Sequence, residues 1–192
     1  MTFIEKTGIE RETAVKLLNQ YITNENMLKH CLASEAVMRK LAGFFGEDGD
    51  IWAMAGLLHD LDAEMTAGDM QRHTIPAREI LLKAGVKSDI VDAICMHNEE
   101  ASGKERVDRF HIALAAGETI TGLIMATTLV YPDKKIASVK TKSIVKRMKE
   151  KAFAASVNRD TIRECEKLGL ALDQFASLAL EAMTEIAGEL EL

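Results

Sequence analysis

The sequence places a histidine beside an aspartate, His59 and Asp60, directly after the apolar run from Ile51 to Leu58. A helix that is hydrophobic on all sides is usually a buried one, so we expect this pair near the middle of the protein. Burying an imidazole and a carboxylate is costly unless they are paired, hydrogen-bonded or bound to a metal. The pair therefore indicates a functional site in the interior.

Four of the five histidines and two acidic residues fall at helix ends or on inward faces of separate predicted helices. They are His30, His59, Asp60, His73, His97 and Glu118. A helix bundle brings such positions to one interior point, where bundles commonly bind metals. Nitrogen and oxygen ligands without cysteine suit Mn, Fe, Co, Zn or Mg better than a thiolate site does. The sequence therefore predicts a site for one or two divalent metal ions.

Adjacent side chains on a helix point about 100° apart, so His59 and Asp60 cannot lie on one face. They can still reach one centre from two sides. The second carboxylate oxygen of Asp60 can then contact a second metal.

The positions of apolar residues and capping residues predict an all-α fold. Only two prolines occur, and Ala, Leu, Glu and Lys are abundant, which also favours helix. The predicted helices are Arg11–Ile22, Asn24–Phe45, a helix capped by Asp50, Ile75–Ala84, a helix capped by Ser88, a long helix from Asp108 to about Val130, a short helix after Asn158 and a final one, Asp173–Leu190. Residues 98–106 are predicted to be a charged loop.

This order of residues resembles the HD superfamily of metal-dependent phosphohydrolases, which is named for the doublet seen here as His59-Asp60. The resemblance covers about Leu28 to Leu123 and implies an HD-domain helical bundle with a C-terminal helical extension. It implies that the primary ligands are His30, His59, Asp60 and Glu118. It also implies a second site formed by His73, His97 and a bridging Asp60. Asp60 is also the residue that we predict to be catalytic.

Two positions depart from the family pattern. Glu118 stands where the family usually has Asp, and the extra methylene requires its helix to sit back or its carboxylate to fold. Leu61-Asp62 follows the doublet, where a large subgroup has Ile-Gly. Asp62 is either a hydrogen-bond acceptor for a ligating histidine or a charge in the loop at the helix end, and the sequence slightly favours the loop charge.

The resemblance implies a phosphate monoester or diester as the small-molecule substrate, often a nucleotide, attacked by metal-activated water. There is no Gly-x-Ser-x-Gly elbow and no Walker loop that would indicate another mechanism. Two alternatives stay open. One is a di-iron site that activates oxygen, and the other is a non-catalytic, metal-stabilised sensing or interaction module, with Glu118 marking lost catalysis.

Residues 134–151 hold eight Lys and Arg against one Glu, in a chain whose net charge is −6. An otherwise acidic protein needs positive potential to attract phosphate. The candidates for phosphate binding are Lys142, Lys146, Arg147 and Arg159. The alternative is a solvated helix face, which charge runs usually are.

Size and composition set further expectations for this chain of 192 residues. The breaker Tyr131-Pro132-Asp133 divides an HD-type domain, residues 1–131 with a core at 28–123, from an extension at 132–192. Net charge −6 argues against general nucleic-acid binding. We expect a cytoplasmic protein with no membrane partner, because no apolar signal region and no run of membrane-spanning length is evident. The amphipathic last helix could pack on the domain or on a second copy in a homodimer.

Overall fold

All regular secondary structure of the chain is helical, with no β-strand, in a computed structural model that describes residues 1–192. The prediction of an all-α fold is confirmed. The α-helices are α1 (Phe3–Thr7), α2 (Arg11–Tyr21), α3 (Glu25–Phe45), α4 (Gly49–Leu58), α5 (Ala63–Thr66), α6 (Ile75–Ala84), α7 (Ser88–Met96), α8 (Glu99–Ser102), α9 (Arg109–Leu129), α10 (Thr141–Arg147), α11 (Arg159–Arg163), α12 (Leu172–Glu185) and α13 (Ala187–Leu190). Two 3₁₀ helices cover Ile136–Ser138 and Glu164–Leu168.

Helix α4 runs through the middle of the bundle, and every residue from Trp52 to His59 is buried. The N-cap of this helix is Asp48 and not Asp50, so the predicted cap was wrong. Asp48 has extended backbone and its side chain accepts the Asp50 backbone N–H at 2.9 Å. Asp50 already lies inside the helix, where its carboxylate pairs with Arg39 and Lys6.

Helices α3 and α4 approach each other most closely at Gly56. A Cβ atom on Gly56 would lie 2.4 Å from the backbone oxygen of Ser34. One turn further along α3, a Cβ on Gly117 of α9 would lie 3.2 Å from the Met38 sulfur. These glycines allow α4 and α9 to pack tightly on α3, and so bring the predicted ligands of the three helices close together.

Replacing Gly56 by alanine should destabilise the protein. The new methyl group meets backbone, which cannot rotate away, so α3 and α4 must separate, at a cost of about 1–3 kcal/mol. Thermal denaturation should therefore show a midpoint several degrees lower, at ~2–4 °C per kcal/mol for a chain of this size. Gly43→Ala is the matched control. Its added Cβ meets no atom within 4 Å and should stabilise α3 by about 0.5–1 kcal/mol. An unchanged midpoint in Gly56→Ala would show that this contact does not set the helix spacing.

The helices after Tyr131 pack on the earlier ones and share their core. Buried side chains from this segment include Ile144, Ile162, Phe175 and Met183. Helix α12 contacts both α3 and α9. The final helix predicted for Asp173–Leu190 is interrupted at Ile186, which separates α12 from α13. The boundary at residue 131 stays a prediction.

The expectation that no segment reaches membrane-spanning length was wrong for helix α9. By length and composition alone its 21 residues could cross a membrane, but 67% of its most apolar stretch is buried inside the bundle. The core helices of soluble proteins share this property.

Candidate metal centre

The six predicted ligand side chains converge on one point among the buried helices. His30 lies in the first turns of α3, His59 follows α4, and His97 follows α7. His73 precedes α6, and Glu118 lies in the middle of α9. Because His59 and His97 occupy the C-caps of their helices, the negative ends of two helix dipoles point toward the centre. This arrangement favours a cation there.

The first half of the centre consists of His30, His59 and one oxygen of Asp60. The two Nε2 atoms of His30 and His59 are 3.0 Å apart. Asp60 Oδ2 lies 3.5 Å from His30 Nε2 and 3.4 Å from His59 Nε2. The three ligand atoms form a cluster of the size that could hold a metal ion.

The second half repeats this arrangement on the other oxygen of Asp60. His73 Nε2 and His97 Nε2 are 3.0 Å apart. Asp60 Oδ1 lies 3.2 Å from His73 Nε2 and 3.6 Å from His97 Nε2. Asp60 therefore stands between two imidazole pairs and presents one oxygen to each.

Backbone carbonyls fix the tautomers of two of the histidines. His59 Nδ1 lies 2.8 Å from the Gly56 oxygen, and His97 Nδ1 lies 2.6 Å from the Ile94 oxygen. A carbonyl can only accept, so each Nδ1 carries a hydrogen. In both rings Nε2 therefore presents its lone pair to the centre when the imidazole is neutral.

The other two histidines are oriented by side chains. His30 Nδ1 lies 2.8 Å from Thr121 Oγ1, and that hydroxyl donates its own hydrogen to the Glu118 backbone oxygen at 2.7 Å. Thr121 must then accept from His30 Nδ1. The carboxylate of Asp62 accepts from His73 Nδ1 at 2.8 Å.

The donor set fits a pair of divalent cations. All four Nδ1 atoms hold hydrogens outward, so four Nε2 atoms and two carboxylate oxygens point inward. In each pair the two Nε2 atoms are 3.0 Å apart, and their lone pairs repel each other unless a proton or a metal ion lies between them. Histidines that bind a metal through one ring nitrogen typically donate the N–H of the other, as the Nδ1–H groups do here. One cation for each imidazole pair satisfies every inward-facing atom.

The charges of the site follow the same division into pairs. Burial, with His59 nearby, lowers the pKa of His30 to about 4, whereas Asp60 overcomes burial and raises the pKa of His59. Burial opposes protonation of His73 as well, but hydrogen bonds with Asp60 and Asp62 raise its pKa to about 9. The pKa of His97 is lowered by burial. Each pair thus combines a more basic and a less basic ring, so one shared proton fits between its Nε2 atoms.

Asp60 remains an anion in this surrounding. Burial alone would raise its pKa, but the imidazoles, His59 foremost, hold the pKa well below its usual range. Its side chain is 15% exposed, which leaves the carboxylate open to the cavity.

Glu118 lies at the edge of the first half rather than inside it. Its Oε2 is 3.7 Å from His30 Nε2, and burial raises its pKa to about 7. The tight three-residue clusters do not include it. Glu118, noted in the sequence as a departure from the family pattern, is thus the one predicted ligand outside the two tight clusters.

Asp62, slightly favoured from the sequence to be a loop charge, is a fully buried acceptor. Besides His73 Nδ1–H, its carboxylate accepts the backbone N–H groups of Thr74 at 2.9 Å and Ala77 at 3.1 Å. Thr74 has a φ of 83°, a left-handed conformation that is strained for a β-branched residue. Asp62 holds this strained turn and the His73 ring together.

Asp62→Asn should weaken metal binding in the second half of the centre. The amide NH₂ would face one of three donors, so His73 would lose its fixed tautomer. Losses of about 10–100-fold in metal affinity are typical for such acceptors. A calorimetric metal titration checks this prediction. Asp69→Asn, an exposed aspartate in the same connection, is the control and should bind metal like wild type. Equal affinities in both variants would contradict the assigned role.

Residues 98–106, predicted to be a charged loop, contain helix α8 and two buried polar side chains. Asn98 donates through Nδ2 to the backbone oxygens of Met70 and His73, at 2.6 and 3.0 Å. Arg106 is the second buried residue. Neither Asn98, Arg106 nor Thr121 was singled out from the sequence, because their partners are distant in the chain.

The centre opens into a cavity of about 990 Å³. Its walls carry seven carboxylates against three Lys and Arg: Asp60, Glu99, Glu100, Glu118, Asp160, Glu164 and Glu166, and Arg106, Arg163 and Lys167. Part of the wall comes from residues 156–167 of the C-terminal segment, which packs on α9.

None of the four basic residues predicted to bind phosphate lines this cavity. Lys142 borders a separate, shallower depression. Arg147 pairs with Glu150, and Lys146 extends toward the same carboxylate with its side chain 78% exposed. Arg159 donates to backbone oxygens of its own segment, including Val157. The structure places Arg163 and Lys167 on the wall instead.

Comparison with known proteins identifies an HD domain over residues 27–156. Ribonuclease Y of Aster yellows witches'-broom phytoplasma (strain AYWB) is 30% identical over 103 residues, which cover 52% of this chain and 20% of that protein. Ribonuclease Y of Nitratidesulfovibrio vulgaris (strain DP4) is 30% identical over 112 residues, or 56% of this chain and 21% of that protein. The similarity therefore spans about a fifth of the length of these relatives. No solved structure matches significantly.

Proposed function

The chain belongs to the HD domain family, and from that premise we propose that it is a metal-dependent hydrolase of a small phosphate ester, with a nucleotide as substrate. The observation that carries the proposal is Asp60, whose two oxygens each face one imidazole pair. The ligands would be the four histidines and Asp60, with Glu118 beside His30.

A divalent cation supplies Lewis acidity, which polarises phosphoryl oxygens and makes water acidic enough to act as a nucleophile near neutral pH. The protein's own groups do the positioning. Asp62, Thr121 and two helix-end carbonyls hold the four rings with Nε2 inward. Asp60 sits at the cavity floor between the pairs, where it can orient an attacking water by accepting its hydrogen bond. Leu57, Leu58 and Leu61, which flank His59 and Asp60 in the chain, are fully buried, so no solvent reaches this stretch from the core side.

The cavity favours a small ester over a long polyanion. Its volume of about 990 Å³ lies at the upper end of small-molecule sites. Apart from the metal ions, the cavity wall carries more acidic than basic side chains. A nucleic-acid chain would therefore be repelled beyond the phosphate bound at the centre. The relatives named Ribonuclease Y support phosphate-ester chemistry, and RNA itself is a competing substrate in the test.

The test is a hydrolysis panel on metal-loaded protein, with nucleoside mono- and diphosphates, cyclic nucleotides, a chromogenic diester and a short RNA. We expect Mn²⁺-dependent release of phosphate or nucleotide from small substrates. RNA cleavage without turnover of any small ester would contradict the substrate class. Oxygen consumption after anaerobic iron loading, with no ester hydrolysed, would support the di-iron alternative. Metal binding with neither activity would support the non-catalytic module.

Arg163 and Lys167 are proposed to hold the substrate phosphate or its neighbour. Their side chains are 47% and 49% exposed on the cavity wall. The double alanine variant should raise KM about tenfold or more, since a charge-assisted hydrogen bond contributes ~1.5–3 kcal/mol, while metal content stays unchanged. Steady-state kinetics on the best substrate of the panel measure this. Lys146→Ala, on the basic segment outside the cavity, is the matched control. A larger KM change in that control would restore the prediction made from sequence.

A further inference from the structure

Arg106 is buried, at 5% exposed, between the end of α7 and the C-terminal segment. Its Nη1 donates to the backbone oxygens of Met96 and His97, at 3.2 and 3.0 Å. Its Nε and Nη2 donate to the two carboxylate oxygens of Glu164, at 3.1 and 2.7 Å. Arginines are almost never this buried unless paired, and here all three guanidinium nitrogens donate hydrogen bonds.

The contact with α7 falls on the turn that orients His97. Carbonyls in the last turn of a helix have no intrahelical partner, and a cation there is favoured by the helix dipole. The same turn supplies the Ile94 oxygen that accepts from His97 Nδ1. Arg106 therefore holds the backbone of His97, while the ring is held by the preceding carbonyl. Both contacts together set the position of Nε2.

The contact with Glu164 joins this turn to a distant part of the chain. Glu164 begins the 3₁₀ helix Glu164–Leu168, and its side chain is 13% exposed. Every candidate ligand lies before Leu129, whereas Glu164 lies in the C-terminal segment that forms part of the cavity wall. A bidentate arginine–carboxylate pair fixes relative orientation as well as distance. The pair can thus transmit the position of that wall to His97.

We propose that Arg106 is a positioning residue, and that its pair with Glu164 makes the second half of the metal centre depend on the C-terminal segment. The inference rests on the proposed function in that it assigns a metal to the His73–His97 pair. Arg106 makes no hydrogen bond with the first half, on His30 and His59, and all its side-chain hydrogen bonds go to the end of α7 and to Glu164. Loss of the pair therefore weakens one metal site and leaves the other intact.

The experiment is a titration of metal-free protein with Co²⁺, followed by visible absorption and by elemental analysis after gel filtration. Wild type should bind two equivalents with distinguishable spectra. Arg106→Lys cannot bridge both partners, and Glu164→Gln keeps the shape but removes the charge. Both variants should bind the first equivalent like wild type and the second at least tenfold more weakly, with an altered second spectrum. The milder Glu164→Gln keeps the test valid if Arg106→Lys does not fold.

Glu185→Gln is the matched control. Glu185 also lies on the C-terminal segment, and the substitution removes its exposed ion pair with Lys40 of α3. It should bind both equivalents like wild type. A lower melting temperature in Arg106→Lys and Glu164→Gln with both Co²⁺ affinities unchanged would overturn the inference and leave the proposed function intact. Parallel weakening of both equivalents, or only one equivalent in wild type, would also overturn it. No Co²⁺ binding by wild type would overturn the proposed function as well.

Discussion

Replacing Asp60 by asparagine should remove metal from both halves of the centre and abolish hydrolysis. Each carboxylate oxygen serves one imidazole pair, at 3.2–3.6 Å in the metal-free geometry. Asparagine keeps one weaker oxygen acceptor and turns an NH₂ group toward the other pair, where a cation would be repelled. With several kcal/mol of transition-state stabilisation lost, turnover should fall by at least about 10³-fold. Elemental analysis and steady-state kinetics on the same preparation measure both effects.

Variants of single histidines separate this shared role from a local one. His59→Ala and His97→Ala should both lose metal, but His97→Ala only the part bound by the second pair. Asp60→Asn should resemble the sum of the two. If Asp60→Asn lost no more metal than His97→Ala, the carboxylate would serve one half alone, and the bridging geometry would be contradicted.

Metal affinity should rise steeply with pH. An imidazole must lose its proton before Nε2 can bind a metal. In the metal-free protein, Asp60 and Asp62 raise the pKa of His73 to about 9, so this ring is protonated at pH 7. Below that pKa each displaced proton lowers the apparent affinity about tenfold per pH unit. Metal binding should therefore weaken as pH falls, and the dependence of the apparent affinity on pH should level off as pH passes 9.

Competition with a chromophoric chelator at several pH values, corrected for the chelator's own protonation, gives this slope. Calorimetry in buffers of different ionisation enthalpy gives the number of protons released at pH 7, which should be at least about one. Asp62→Asn, which removes one of the two anions that raise the His73 pKa, should give a shallower slope. Binding that is independent of pH between 6 and 8 would mean that no ligand is protonated in the free protein.

The sequence carried enough information to predict which side chains converge, because local patterns place them at helix ends and on inward helix faces. The apolar run before His59 ends in a helix terminus, and His97 ends α7 in the same way. Burial of α4 then followed from its composition alone. The groups that orient these ligands could not be found in that way. Asp62, Thr121 and Asn98 matter through contacts with residues 11, 91 and 25 positions away along the chain.

The basic side chains of the cavity wall could not be predicted from the sequence either. A run of eight Lys and Arg between 134 and 151 is conspicuous in sequence, yet α10 presents its basic residues away from the centre. Arg163 and Lys167 stand among glutamates and carry no comparable signal. Their position depends on how α11 and the following 3₁₀ helix pack on α9, through buried Ile162 and Cys165. That packing is a tertiary property that helical periodicity does not reveal.

The most direct test of the account is a crystal structure of Mn²⁺-loaded protein with anomalous scattering measured for the metal. We expect two anomalous peaks about 3.5–4 Å apart. One should lie between His30, His59 and Asp60, and the other between Asp60, His73 and His97. No peak within bonding distance of Asp60 in fully loaded protein would contradict it.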